Sequence, residues 1–507
     1  MKITKRLLAL LLVFSTILTF AACKDDEPTT DEPSTDDEFT GSILEDVTPE
    51  ETPTAPPLIA AGDPEATVEI RTAADLMAIT QKGTFILMND IDMTGVDFKP
   101  IGNYQYPFMG TLKSAEGNVF SIKNLKFTVT DEAVGPGVYY CVYAGLFGAT
   151  NDATVTDIKL ENVDITATSD EEYRFVTSGA LAGYMINTTV NNVQVSGKIF
   201  SKSVFFNAYA AGICGILESG SITDSEANVT IETADSKNRA VSGGIAAYAL
   251  ENATVSGCSV LGSIRAASSY GVAYGAGIIA NARHATLTNC QSSADVHAEV
   301  YQFKSSEPRG GASYAAGIVA VSGSDNEIYP SSYTRCYTLG GTVTSVGNDN
   351  AAYCAGIAAK ISYSTFTHCY SKSNVVMKAN SAISFAAGGF AKISNTALDG
   401  GVADFRIKGC FSYGSLTIEH KNPENAILGN FYAMLIEPNS GKNFITTCVF
   451  NQSASFTLNG QTIPAAMLKD NITPKLSQYF TLQHCVSTLG WVESEWETVN
   501  DHLIPKA

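Results

Sequence analysis

Tyr274–Val296, YGAGIIANARHATLTNCQSSADV, is the stretch on which the fold turns. It reads as a strand opened by Gly277 and the apolar pair Ile278-Ile279, a short turn, then a second alternating strand closing on Asn289-Cys290. Copies recur along the chain. Aligned on the residue before the apolar pair, the anchors fall at Gly145, Ala180, Gly212, Gly244, Gly277, Gly317, Gly356, Gly389 and Asn430, at intervals of 32 to 41 residues. A period of this size marks stacked supersecondary units. A third short strand follows in each copy, as in Val163-Asp164-Ile165 or Gly341-Thr342-Val343. Three strands per coil with glycine at tight corners predict an all-β fold, a right-handed parallel β-helix or β-solenoid of about nine coils or more. One coil cannot bury its own apolar face, whereas a stack of coils can.

Composition agrees. Among 507 residues, 42 are glycine and only 16% are charged, a mixture suited to short strands and tight turns. The spacing predicts five regions. Residues 1–22 form a signal: a basic start (Lys2, Lys5, Arg6), an apolar run from Leu7 to Phe20, then Ala21-Ala22. Residues 23–57 form an acidic disordered tether, with twelve acids and one lysine between Lys24 and Glu51. Self-repulsion holds such a segment extended. Residues 58–143 form an N-terminal cap and the first coils, opened by a short helix from Thr72 to Ile79 with Thr72 capping. Residues 144–450 are the repeats, and 451–507 a C-terminal cap in which Ala465–Lys469 and Leu476–Leu482 suggest short helices. The only two tryptophans, Trp491 and Trp496, are expected to plug the open end of the last coil. The net charge of −19 argues against nucleic acid as a partner.

Cys258, Cys290, Cys336, Cys369, Cys410 and Cys448 occupy one place in successive repeats. Stacked in this way, their parallel side chains fit disulfide geometry poorly, so buried free thiols are expected. No Cys or His clustering suggests a metal site, and no cofactor motif is present.

Two short segments and the repeats resemble known families. Phe20-Ala21-Ala22-Cys23 resembles a bacterial lipobox, which implies lipidation of Cys23. Lys24-Asp25-Asp26-Glu27 looks like the surface-export signal of lipoproteins from Bacteroidetes bacteria. Ala144-Gly145-Leu146-Phe147-Gly148, with the later Thr-Asn-Cys segment, resembles the GLUG repeat of bacterial cell-surface proteins. Asn89-Asp90-Ile91-Asp92, Pro100-Ile101-Gly102 and Phe108-Met109-Gly110 are similar to the segment that leads into such arrays. The resemblance implies an outer-membrane lipoprotein, anchored through acylated Cys23 and facing the cell exterior. It implies an adhesive or ligand-binding solenoid with no family-wide catalytic residues to carry over.

The acids of the repeats (Asp157, Asp164, Asp224, Glu226, Asp295) do not recur in register, and His284, His368 and His484 are isolated. Glycoside-cleaving sites need paired carboxylates. The chain is therefore expected not to be an enzyme. A polysaccharide-active β-helix lyase or hydrolase, and a structural spacer of a surface complex, stay open as alternatives. What recurs is aromatic. Tyr209, Tyr274, Tyr314 and Tyr353 each sit three residues before an anchor, with Tyr143 and Phe385 one place off. These suit a stacked ladder at the corners. The loops upstream add Tyr139, Tyr140, Tyr173, Phe175, Phe205, Phe206, Tyr270, Tyr301 and Phe303, which are the candidate contacts for a glycan or a host or bacterial surface protein.

Overall fold

The computed structural model describes residues 59–130, 141–172, 174–301, 311–323, 330–380, 382–394, 406–435, 445–464, 468 and 472–506. These form a parallel β-helix. Each coil from Cys141 onward runs through three sheets. A leading sheet of nine strands, Cys141–Ala144 to Ala426–Gly429, comes before each corner glycine, and a trailing sheet of nine, Phe147–Asn151 to Tyr432–Leu435, comes after it. The rest of each coil joins a broad third sheet, in which the central coil contributes Thr286–Thr288, Gln291–Ser292 and Asp295–Val300.

This corrects the three-strand reading. A strand precedes the anchor, and the anchor is the corner between two strands. Register also moves one anchor. Ala355 pairs with Ala387 and Ala358 with Phe390, so Gly388, not Gly389, is the equivalent of Gly356. The reason for glycine at the corner is close approach between coils. A Cβ built on Gly277 would run into the carbonyl oxygen of Gly317, one on Gly317 into that of Gly356, and one on Gly356 into that of Gly388.

The broad sheet begins before the other two. Thr67–Ile70, Thr84–Leu87 and Thr111–Ser114 stack in register beneath Thr154. The first helix, α1 (Ala73–Met77), carries a capping box in which Thr72 accepts from the Asp75 N–H while the Asp75 carboxylate accepts from the Thr72 N–H. Leu76 and, just past the helix, Ile79 enter the main core.

Along the broad sheet a hydroxyl-x-hydroxyl unit recurs: Thr154-Val155-Thr156, Ser221-Ile222-Thr223, Thr254-Val255-Ser256, Thr286-Leu287-Thr288, Thr365-Phe366-Thr367. The middle residue points into the core, and its row continues from Val155 through Val190, Ile222, Val255, Leu287, Tyr333 and Phe366. The next residue, Asp157, Asn192, Asp224 or Asn289, takes left-handed φ of 56°, 51°, 49° or 56°, which Asn and Asp tolerate better than other side chains. That bend precedes a buried residue in each rung, Ile158, Val193, Ser225 or Cys290, and from Cys290 onward the position is a cysteine.

Ten cysteines, including the whole repeat-register column, are buried free thiols. In the column each Sγ donates to the carbonyl two residues before it, as Cys290 does to Thr288 at 3.4 Å and Cys448 to Thr446 at 3.3 Å. The Cys369 N–H reaches Cys410 Sγ at 3.3 Å, so the column is continuous.

A second, smaller core lies on the opposite face of the leading and trailing strands, where Tyr143, Tyr209, Tyr314, Tyr353 and Phe385 share one register row. Tyr314 and Tyr353 stack at 4.5 Å, and Tyr353 and Phe385 at 4.9 Å. The ladder expected at corners is therefore built on strands, and Tyr143 and Phe385 are in register.

The tryptophans do not plug the last coil. Residues 480–505 fold back along the flank of the broad sheet. There Trp491 and Trp496, 4.0 Å apart, cover the stacked rings of Tyr337, Tyr370 and Phe411. Trp491 Nε1 donates to Gly409 O at 2.7 Å, and Arg335 pairs with Glu495 at 3.0 Å. Large outward rings on three successive rungs make a better partner for indoles than the rim of a coil. Ile463, Leu468 and Ile472 contact the main core instead. Of Ala465–Lys469 only Leu468 lies among the described residues. Leu476–Leu482 holds one 3-10 turn, Ser477–Tyr479, with a helical turn starting at Leu482.

Candidate functional site

The loops that lead into the leading sheet lie along one edge, because every strand of that sheet starts from the same corner. Tyr139, Tyr140, Tyr173 and Phe303 fall outside the described residues, as do Cys23, Lys24, Asp25, Asp26 and Glu27. Phe175 is buried, with Phe206 edge-on at 4.6 Å and Tyr209 stacked at 6.4 Å, so its ring is spent on packing. Phe206 is half-buried against it. Phe205 is half-buried with the Lys237 ammonium 4.6 Å above its ring. Tyr270 and Tyr301 are half-buried at the corresponding turns of their own coils.

Further along the same edge the structure opens a cleft of about 470 Å³, lined by Val346, Asn348, Lys378, Ala379, Asn380, Glu419, His420, Lys421 and Asn459. Three rungs build it. Val346, Lys378 and Glu419 are register neighbours on the outer face of the broad sheet, and Asn348, Ala379 and His420 form the row beside them. Lys378 Nζ meets Glu419 Oε2 at 3.1 Å, with both side chains about half exposed. His420 is buried. The Asn422 N–H donates to its Nδ1 at 3.1 Å, which leaves Nε2–H to donate to Ala382 O at 3.0 Å. Asn459 braces this strand end by accepting from the His420 N–H at 2.9 Å and donating to the His420 carbonyl at 2.9 Å.

Asn348, Asn380 and Asn422 step through the corner as a backbone ladder, with Asn380 N–H to Asn348 O at 2.6 Å and Asn422 N–H to Asn380 O at 3.2 Å. The Asn348 amide is committed to Val300 O at 2.9 Å. Asn380, half-buried, and Lys421, exposed, also line the cleft.

None of the cleft residues was among the sequence candidates. A signal for them existed: each asparagine of the ladder lies eight residues before its corner residue, Gly356, Gly388 or Asn430. With Gly389 taken as the anchor, Asn380 drops out of step and the pattern disappears.

Among the described residues no group of three or more His, Cys, Asp or Glu side chains is placed to hold a metal ion. No helix among them is long and apolar enough to cross a membrane.

No family model matches the chain, and no curated protein matches it. Four solved chains do. One is a Bacteroides ovatus protein provisionally named an immunoglobulin A1 protease, at 13% identity and TM-score 0.31, covering 87% of this chain and 91% of that one. Another is named IgA1 protease, at 12% identity and TM-score 0.36; 84% of this chain is covered, but only 24% of that one. The expectation that the chain is not an enzyme is corrected here: both structures bear a protease's name, and an exclusion drawn from scattered acids and isolated histidines does not stand against them. At these TM-scores the likeness assigns this chain no activity of its own.

Proposed function

We propose that this chain is a surface-tethered binding module, a β-solenoid with GLUG-like repeats that engages a glycan through the loop edge. The observation that carries the reading is the cleft on that edge, a concave site with amide, ammonium and carboxylate groups converging from three rungs. The half-buried rings of Phe205, Phe206, Tyr270 and Tyr301 on the same edge offer apolar faces on which sugar rings stack. The tether supports display away from a membrane. Acyl chains on Cys23 would anchor it, at roughly 0.8 kcal/mol per buried CH₂.

The test is a screen of the chain from Cys23 onward, without lipid, against immobilised glycans and mucins, with alanine variants of those four aromatics in parallel. Saturable binding that weakens in the variants is the expected result, and mass spectrometry of the recovered ligand shows in the same assay whether it has been shortened. Absence of any glycan binding, together with capture of one defined surface protein by crosslinking on cells, would replace this reading with an assembly role. Anchoring is read separately: Cys23→Ser should lose fatty-acid labelling, and protease added to intact cells should remove the wild-type chain.

A further inference from the structure

We infer that the cleft at Lys378, Asn380, Glu419 and Lys421 takes a sugar that carries a carboxylate, such as a uronic acid; the inference rests on the glycan-binding reading above. Charge decides it. Two ammoniums and one carboxylate line the cleft. Lys378 and Glu419 answer each other at 3.1 Å. Lys421 is left over. Its backbone N–H bonds to Ala379 O at 3.2 Å, and among the described residues no carboxylate pairs with its exposed ammonium. His420 accepts at Nδ1 and donates at Nε2, which is the neutral ring, so it neither adds to the charge nor cancels it. The next acid along the Lys378 row is Glu299, beyond Val346, and Arg265 holds it at 3.3 Å. The lining thus keeps one positive charge in excess, two lysines against one glutamate, although the whole chain carries −19. Charges more than about 8 Å off are largely screened at physiological salt, so the lining sets the preference of the cleft and the total does not.

A uronate matches this set. Its carboxylate takes the Lys421 ammonium as a charge-assisted partner. Asn380 and Lys421 each follow the register pair Ala379–His420 by one residue, so the amide and the ammonium belong to adjacent rungs. The amide can donate to the same carboxylate or exchange hydrogen bonds with a ring hydroxyl. Glu419 keeps Oε2 on Lys378 and has Oε1 to accept from hydroxyls, which orients the ring with its own carboxylate toward Lys421. Val346 and Ala379 supply a small apolar wall for a C–H face. The strand end is braced by the Asn459–His420 bonds and does not need to form on binding. A polysulfated chain is a poorer match, because it calls for a row of cations and this lining has a single one to spare.

The experiment is calorimetric titration of the chain with oligogalacturonate, oligoglucuronate and a sialylated lactose, each beside its own methyl ester, and with a sulfated oligosaccharide. The ester keeps every ring and hydroxyl and removes only the charge. At least one acid should bind about fivefold tighter than its ester at low salt, the scale of one exposed ion pair, and the difference should shrink at high salt. Lys421→Gln should bring that acid and its ester within about twofold of each other. Glu419→Gln keeps an acceptor oxygen and removes the only negative charge of the lining, so it should tighten the acid, by about threefold. A folding defect would not produce that gain, and unchanged circular dichroism and melting temperature confirm that both variants fold. Equal binding of acid and ester, a preference that survives Lys421→Gln, or tighter binding of the sulfated sugar overturns the inference and leaves the glycan-binding reading intact. Failure of every sugar to bind removes both.

Discussion

At the scale of single residues, two columns set the geometry. The corner glycines are required by the carbonyl of the next coil, and backbone freedom is not the reason at those sites. Gly317→Ala should therefore cost about 1–3 kcal/mol, the range for overpacking a rigid contact. Gly340, with nothing near its would-be Cβ, serves as the control, and Gly340→Ala should be close to neutral. Urea unfolding of the two variants makes the comparison. The cysteine column is the second. Burial pushes the Cys141, Cys214 and Cys354 thiols well above their usual range, and it raises Cys258, Cys336 and Cys410 of the stacked column as well. All ten should resist a thiol-specific reagent in the native protein and react once it is unfolded, with no mass change under reduction. Rapid native labelling of any of them would contradict the packing. Sequence spacing displayed this column plainly, because a cysteine at one register position has one neighbour above and one below whatever the loop lengths are.

At the scale of elements, the C-terminal clasp is the part the sequence misplaced. Its two indoles sit on Tyr337, Tyr370 and Phe411, and removing Trp496, which is fully buried, should cost about 3–5 kcal/mol. The coils should keep their far-ultraviolet signal, since the clasp lies on their flank. The clasp also carries a pH dependence. Burial holds His368, His484 and His502 below the ordinary histidine value. Lys475 beside His484 adds to the lowering, and so does Lys372 beside His502. Around His368, Lys408 and Arg335 lower it further, while Glu495 and Cys369 pull the other way; near His502, Asp501 does the same. A depressed histidine binds its proton more readily when unfolded. Its stabilisation is thus complete above about pH 6.5 and is lost as pH falls toward the folded value. Tryptophan fluorescence should report loosening of the clasp as pH is lowered from 7 toward 5. His368→Gln, whose ring nitrogens are replaced by an uncharged amide, should flatten that response.

At the scale of the whole molecule, each coil touches its neighbours and little else, so stability is close to a sum over rungs and their interfaces. Deleting Gly244–Ala276, one complete turn, brings Gly243 before Gly277 and re-forms every register row. The shortened chain should fold with the same strand content per residue and a modest loss in melting temperature. Removing half that length would invert strand order at the junction and should yield insoluble protein. Calorimetry and circular dichroism separate the two results.

The sequence by itself determined the period, the parallel β-helix, the inward cysteine row and the capping of the first helix. These follow from local patterns that repeat, and a repeat constrains each copy by all the others. Only the tertiary structure decided that the corner falls at Gly388, that the aromatic ladder belongs to strands, and that the tryptophans grip a flank. It also decided that Asn348, Lys378 and Glu419 converge on one cleft. Loops of unequal length break the count along the chain, while hydrogen bonding between rungs restores it in space. A site assembled from residues some forty apart exists only once the coils are stacked.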